Sequence, residues 1–156
     1  MSHRLGERPD TIPEERWVVL SGTEGVIFPA DHRVPYNFGL MSSWTPSREL
    51  VLAAEHRVAT FLLNYPRHTP AADESDRLER YSAPLIVSKL ATYQRQYSGI
   101  LSEGHRALFM NFFPRGDCEK WTTEPVEVDD GGHSYFRLIY RPDQGDFSRY
   151  DVNGEA

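Results

Sequence analysis

The sequence contains only one cysteine, Cys118, and this scarcity excludes an internal disulfide and a cysteine-rich zinc site. Six histidines are present, but none stands four residues from another and no HExxH motif occurs. A metal site would need Asp31 and His32 to converge with residues 129–133 from a distant part of the chain. Turn residues explain both segments without a metal, and we expect neither a metal nor another cofactor.

Motifs of the common enzyme classes are also missing. The chain has no GxxxxGK(S/T) or GxGxxG phosphate-binding loop and no GxSxG nucleophile elbow. Cys118 would need a base such as His105 or His133 to act as a nucleophile, and its neighbours Asp117 and Glu119 oppose thiolate formation. No two carboxylates stand out as an acid and base pair. The sequence therefore predicts no catalytic residue and favours a non-enzymatic protein.

Long hydrophobic runs and excess positive charge are absent as well. No segment approaches the roughly 20 apolar residues that cross a bilayer, and residues 1–16 contain no apolar run typical of a secretory signal. We therefore expect a cytoplasmic protein. The formal net charge of −6 disfavours binding to nucleic acid or to an anionic membrane, and it suits a basic protein partner.

The composition is otherwise that of a folded domain. Hydrophobic residues make up 39% and aromatic residues 12% of the chain, which excludes disorder of the whole. A chain of 156 residues accommodates one domain with a buried core. We predict a polar N-terminal arm over residues 1–15 and a single domain over residues 16–156.

One long amphipathic helix is predicted over residues 46–64. Thr45 is placed as the N-cap, Pro46 at the first helical position and Pro66 just beyond the end. Glu55 is assigned to the polar side of this helix. Apolar residues recur at spacings of three and four: Val51, Ala54, Val58, Phe61 and Tyr65, widened by Leu50, Leu62 and Leu63. Residues 67–84 are predicted to be a polar linker with at most a short exposed helix near residues 73–80.

Strands are predicted on both sides of this helix. Residues 16–20 and 26–28 form a candidate hairpin. After residue 91 the hydrophobic period changes to two, and strands are predicted over residues 92–101, 106–113, 126–128, 134–140 and 146–152. The predicted fold class is therefore α+β, with one long amphipathic helix packed on an antiparallel meander sheet of about four to six strands.

Five residues are candidates for binding: Tyr93, Arg95, Tyr97, Asp130 and His133. Alternation places the first three on one face of a strand, where an arginine between two tyrosines could hold an anion or stack on a partner. Alternatively, the tyrosine rings cover the arginine stem within the fold. Asp130 and His133 flank two glycines, which allow close approach of a ligand such as calcium or form a tight turn.

Several short motifs occur together in the second half of the chain. They are Arg95-Gln96-Tyr97, Asn111-Phe112-Phe113, Trp121, Asp130-Gly131-Gly132 followed by Tyr135-Phe136, and Asn153-Gly154-Glu155-Ala156. With these motifs, residues 90–156 resemble an uncharacterised family of small bacterial proteins. The resemblance implies one intact C-terminal sheet and brings no activity with it.

Three functions fit these observations. The first is a protein-binding module, in one form an immunity-type antagonist that covers the active site of a basic toxin. The second is a small-ligand binder or hydrolase-like enzyme with its pocket between helix and sheet. The third is an accessory protein whose edge strand pairs with a second copy, so that the chain is a homodimer instead of a monomer. The acidic charge and the missing catalytic motifs favour the first.

Overall fold

Residues 7–68 and 77–154 are described by the computed structural model. Within them, six strands form one sheet, and two helices pack against one of its faces. The strands are β1 (Trp17–Leu20), β2 (Thr23–Ile27), β3 (Tyr93–Ser102), β4 (His105–Pro114), β5 (Phe136–Arg141) and β6 (Asp146–Val152). The helices are α1 (Arg48–His68) and α2 (Arg77–Val87). The predicted α+β class is confirmed.

The sheet is mixed, whereas the sequence predicts an antiparallel meander. Strands β3 to β6 are antiparallel neighbours in chain order, as predicted, and β1 and β2 form the predicted hairpin. However, β2 runs parallel to β3, with Ile27 opposite Tyr97. The chain leaves β2, passes through both helices and enters β3 in the same direction. A parallel pair requires such a crossover, and no local pattern in either strand indicates it.

Helix α1 begins at Arg48 and ends at His68, later than predicted at both ends. Ser47 caps it in place of Thr45, because the Leu50 amide donates to the Ser47 hydroxyl oxygen at 3.1 Å. Thr45 instead accepts a hydrogen bond from the Ala30 amide. The helix also continues through Pro66. A proline near a helix C-terminus removes one of the last backbone hydrogen bonds and leaves the earlier turns intact.

The predicted linker contains a second helix that belongs to the core. Residues 69–76, which include part of the predicted exposed helix, lie outside the described residues. Helix α2 follows them and buries Ser82, Ala83 and Ile86. The sequence does not indicate a buried helix here, because its buried stripe is narrow and two of its three buried side chains, Ser82 and Ala83, are small. Neither described helix is both long and apolar enough to cross a bilayer.

The helix-covered face of the sheet holds the larger part of the core. Val51, Ala54, Val58 and Leu62 of α1 are buried against it, which confirms the predicted apolar stripe except at Leu63, which is 52% exposed. The strands contribute large side chains to the same cluster, among them Tyr97, Met110, Phe112, Phe136 and Leu138. The final strand belongs to this core as well, because Tyr150 and Val152 are only 6% and 8% exposed.

Two loops cover the opposite face of the sheet. Residues 29–44 follow β2, and residues 115–131 follow β4. Gly99 allows the first loop to pass β3 closely, since a side chain there would collide with the Trp44 carbonyl oxygen. Two small apolar clusters lie beneath the loops: Ile12, Trp17, Val26, Phe28, Phe113, Trp121 and Val126 form one, and Val34, Ile100, Ala107 and Phe109 form the other. Ile12 therefore packs on the domain, although it lies within the predicted arm.

Residues 126–128, a predicted strand, form no strand, and the prediction is wrong. They belong to the loop of residues 115–131. Their amides bond to side chains instead of a neighbouring strand: Val126 donates to Gln96, and Val128 donates to Tyr36. An apolar pattern of three residues is too short to distinguish a strand from a loop segment that packs on the core.

Candidate functional site

Three of the five candidate binding residues lie inside the fold. Tyr93, Arg95 and Tyr97 point to the helix-covered face and are 2%, 4% and 0% exposed. The guanidinium of Arg95 faces the Glu55 carboxylate of α1, with Nε 3.2 Å from Oε2. Tyr97 donates its hydroxyl proton to the same oxygen at 2.6 Å. Glu55, assigned by the sequence to the polar side of the helix, therefore points into the core.

Glu55, Tyr93, Arg95 and Tyr97 form a buried cluster whose polar groups are hydrogen-bonded to one another or to nearby backbone carbonyls. Arg95 also donates to the carbonyl oxygens of Leu90 and Tyr93, at 2.9 and 2.6 Å. Burial, followed by the charge of Glu55, raises the pKa of Tyr97 well above its usual value. Burial likewise raises the pKa of Tyr93 to about 12. Both tyrosines stay protonated at neutral pH, and the cluster fastens α1 to the sheet.

The structure brings Tyr93 and His133 together, while no hydrogen bond or ion pair joins Asp130 to either of them. The Tyr93 hydroxyl donates to the His133 carbonyl oxygen at 2.7 Å. The Lys89 ammonium lies 2.7 Å from Nε2 of the His133 ring. The Asp130 carbonyl oxygen accepts a hydrogen bond from the Asn153 side chain at 2.9 Å, and the rest of Asp130 is exposed. The five candidates therefore do not form one site.

No metal centre is assembled within residues 7–68 and 77–154, where no three His, Cys, Asp or Glu side chains converge. Gly131 and Gly132, with φ of 102° and 59°, form a turn before β5. Cys118 packs at the margin of the cluster around Trp121. His105 begins β4 at the end of the strand far from Cys118, so the two do not form a nucleophile and base pair.

A second buried carboxylate, Glu24 of β2, is 1% exposed. Gln94 donates to its Oε1 at 3.5 Å, and its Oε2 has no hydrogen-bond partner among the described residues. One carboxylate beside an amide provides neither a second acid–base group nor a set of metal ligands. It therefore does not indicate a catalytic site.

Residues 115–131, called the acidic loop below, carry six acidic side chains and two basic ones. The acidic residues are Asp117, Glu119, Glu124, Glu127, Asp129 and Asp130, and all six are exposed. Asp117 accepts a hydrogen bond from the Tyr135 hydroxyl, Glu124 lies 3.9 Å from Lys120, and Glu127 lies 2.8 Å from Arg33. The other three have no ion-pair partner in the described part of the chain. The loop is a solvated, negatively charged surface.

Two buried amides of the sheet hold the acidic loop in place. Gln96 of β3 and Asn111 of β4 are opposite one another and are 0% and 1% exposed. Gln96 Nε2 donates to the carbonyl oxygens of Trp121 and Glu124 at 2.6 and 2.7 Å. Its Oε1 accepts from Asn111 Nδ2 and from the Val126 amide, both at 3.0 Å, and Asn111 donates to the Val126 carbonyl at 2.9 Å. Satisfied buried amides specify one geometry, so the loop has a fixed path.

Tyr36 belongs to the loop of residues 29–44 and connects it to the acidic loop by hydrogen bonds. The backbone of Tyr36 is strained. Its φ of 63° lies in the left-handed region, which is uncommon for a bulky residue. Its amide donates to Glu127 Oε2 and its hydroxyl accepts from the Val128 amide, both at 2.8 Å. Arg137 of β5 stacks on the ring, with its guanidinium carbon 4.2 Å from the ring centre. Strain of this kind costs on the order of 1–3 kcal/mol and persists where neighbours fix the conformation.

Arg137 also lines a cleft of about 290 Å³ beside β5 and β6. Burial lowers the pKa of its guanidinium, which donates to Asn153 Oδ1 at 2.5 Å. Across the cleft, Arg149 pairs with Asp151 at 2.5 Å. The Asn153 side chain donates through Nδ2 to the Val128 carbonyl oxygen at 2.6 Å. The asparagine of the C-terminal motif therefore helps to secure the acidic loop.

Beyond Tyr36 the same loop projects an apolar tip. Phe38 is fully exposed at 107%, and Leu40 and Met41 are 40% and 46% exposed. The turn is closed by backbone bonds, because the Leu40 amide donates to the Asn37 carbonyl oxygen at 2.9 Å and the Val34 amide donates to the Leu40 carbonyl oxygen at 3.0 Å. The tip is therefore a defined structure, although its side chains meet solvent.

The sequence alone does not identify the residues that hold the acidic loop and the apolar tip in place. Gln96 and Asn111 carry a usable signal, since an amide in the middle of an otherwise apolar strand needs a buried partner. Their carbonyl partners lie in the acidic loop, which has no regular pattern. Tyr36 carries no signal, because its left-handed backbone follows from contacts with distant residues.

Comparison of the chain with protein-family models, with curated proteins and with solved structures found no match. The resemblance of residues 90–156 to a bacterial family therefore stays a prediction. The functional proposal below depends on the geometry of the acidic loop and the two amides beneath it.

Proposed function

We propose that this chain is a non-enzymatic protein-binding module that occupies a basic partner through its acidic loop. The proposal is carried by six exposed carboxylates on one loop that two buried amides fasten to the sheet. Only Arg115 and Lys120 oppose their charge within the loop. A positively charged protein surface is the complement of such a loop.

The fixed path of the acidic loop supports a binding role. A flexible loop loses conformational freedom when it binds, and this loss weakens the complex. Here the bonds from Gln96, Asn111 and Tyr36 hold the loop in the free protein. The carboxylates are therefore displayed before a partner arrives. Their combined field also speeds association with an oppositely charged surface by about 10- to 1000-fold.

An immunity-type antagonist is the form of this function that we favour. An antagonist acts by covering the active site of a toxin, so it needs a charged surface and no catalytic group of its own. Of the buried ionisable groups, Glu55 and Arg95 pair with one another, and Glu24 lies beside the Gln94 amide. Between helix and sheet, where an enzyme pocket was the alternative, Tyr97, Met110 and Leu138 are each 0% exposed.

Competition between a deletion strain and its parent tests this function. We expect cells of the encoding organism that lack this gene to be outcompeted in co-culture by parental cells that deliver the toxin. Expression of the chain in the deletion strain should restore its survival. The variant Glu119→Gln/Asp129→Asn/Asp130→Asn removes the three loop carboxylates that have neither an ion pair nor a hydrogen bond within the described residues, and it should lower protection by about tenfold or more because association slows.

A matched variant controls for net charge. Glu49→Gln/Glu103→Gln/Asp143→Asn removes the same number of exposed carboxylates from α1, from the turn between β3 and β4 and from the turn between β5 and β6. It should protect as well as the wild type. A deletion strain that competes equally with its parent would contradict the antagonist function. Equal protection by the two triple variants would exclude the acidic loop as the binding surface.

A further inference from the structure

We infer that Phe38 is the apolar anchor of this interface and inserts into an apolar pocket that adjoins the basic surface of the partner. The inference rests on the proposed function and adds a second contact to it. Few interface residues carry most of the binding energy. Aromatic side chains, phenylalanine included, are enriched in protein interfaces, whose apolar core is surrounded by a polar rim. A phenylalanine exposed at 107% in the free protein makes no intramolecular packing contact that would explain it.

The tip is held in position by residues of the acidic loop. Tyr36, two residues before Phe38, bonds to Glu127 through its amide and to the Val128 amide through its hydroxyl. Arg33, five residues before Phe38, pairs with Glu127 at 2.8 Å. The apolar tip and the acidic loop are therefore parts of one rigid surface. Asp129 and Asp130 follow Val128 directly, so unpaired carboxylates lie next to the base of the tip.

The strain at Tyr36 indicates that the position of the tip is specified. A left-handed tyrosine is disfavoured in an unconstrained loop. Here three contacts hold Tyr36 at φ of 63°: the hydrogen bond that its backbone amide donates, the hydrogen bond that its hydroxyl accepts, and the stacked Arg137 guanidinium. Strained residues of this kind cluster at active sites, ligand clamps and switch regions. With this backbone conformation the Tyr36 ring packs against Arg137, whereas the Phe38 side chain, two residues later, points into solvent.

The charge of the surroundings selects a basic protein as the occupant. Arg33 is neutralised by Glu127 and Arg149 by Asp151, and the Arg137 guanidinium is stacked on the Tyr36 ring. In contrast, Glu119, Asp129 and Asp130 have no ion-pair partner among the described residues. A second copy of this chain is a poorer occupant, because a two-fold interface would bring each acidic loop against the other. The partner is therefore a basic protein with an apolar pocket bordered by lysine or arginine.

The variant Phe38→Ala tests the inference in the same competition assay. The side chain has no packing contact to lose, so the variant should keep the circular dichroism spectrum and thermal midpoint of the wild type. We expect protection to fall by about 10- to 30-fold, the effect of losing a hot-spot residue. Leu101→Ala is the matched control, since Leu101 is 58% exposed on β3 in a different part of the surface, and it should protect fully.

The outcomes separate this inference from the proposed function. Full protection by Phe38→Ala, together with loss of protection in the acidic-loop triple variant, would overturn the anchor and leave the proposed function intact. A deletion strain without a defect would overturn the proposed function and the anchor with it. Light scattering completes the test: a wild-type dimer that becomes a monomer on Phe38→Ala substitution would assign the tip to self-association and overturn the inference.

Discussion

Replacing Glu55 with leucine should lower the free energy of unfolding by about 3–5 kcal/mol, because Arg95 would be buried without its counter-charge. The two side chains are 7% and 5% exposed. The guanidinium donates to both carboxylate oxygens, at 3.2 and 3.4 Å. Tyr97 would lose the acceptor of its hydroxyl proton as well. Urea unfolding followed by circular dichroism measures the loss.

The double variant Glu55→Leu/Arg95→Met separates the cost of the unpaired charge from that of packing. Apolar side chains of similar volume often replace a buried ion pair at little cost, so the double variant should recover most of the lost stability. Glu49→Gln, at an exposed position of the same helix, should change stability by less than about 0.5 kcal/mol. If the loss from Glu55→Leu and the loss from Arg95→Met alone add up in the double variant, the coupling of the two side chains that the structure describes is contradicted.

Replacing Tyr150 with alanine should destabilise the protein by about 3–5 kcal/mol, as expected for a large aromatic residue removed from a core. Its ring lies edge-on to Tyr65, Phe61 and Phe136, with centroids 4.9, 6.2 and 6.4 Å away. Its hydroxyl donates to the Glu79 carbonyl oxygen of α2 at 2.9 Å. The residue therefore connects the last strand to both helices, and urea unfolding should show the effect.

Tyr150→Phe is the matched control for this substitution. It keeps the ring and removes only the hydrogen bond to α2, so it should cost about 1 kcal/mol. The difference between the two variants measures the packing of the last strand. If Tyr150→Ala unfolds at the same urea concentration as the wild type, β6 does not contribute to the core.

Regular alternation made most strands predictable from the sequence. The prediction for β6 coincides with residues 146–152, and those for β3 and β4 differ from the structure by one residue at each end. The parallel pairing of β2 with β3 was not predictable, because two helices separate these strands in the chain. Helix α2 was not predictable as a core element, because Ser82 and Ala83 do not stand out as apolar residues.

The candidate site was predictable only in part. Alternation places Tyr93, Arg95 and Tyr97 on one face, as the structure does, but it does not show that a helix covers this face. Glu55 stands four residues after Val51, within the helical stripe, and its charge alone assigned it to solvent. Charged residues are seldom buried unless they are paired, and its partner lies 40 residues later on a strand.

The acidic loop, too, could be predicted from the sequence only in part. Its composition is visible in the sequence, since six acidic residues occur between residues 117 and 130. Its fixed path is not visible, because it depends on Gln96 and Asn111 and on the strained Tyr36. The proposed function needs both properties. The central claim is therefore that the acidic loop is a preorganised part of the sheet in the free protein.

Amide hydrogen exchange of the free protein, resolved by residue, tests this claim most directly. The amides of Val126, Val128 and Tyr36 each donate to a side chain that fixes the loop. We predict that they exchange slowly, and that Gln96→Leu speeds exchange at Val126 while the amides of β5 and β6 stay protected. Rapid exchange at all three amides in the wild type, unchanged by Gln96→Leu, would contradict a preorganised acidic loop.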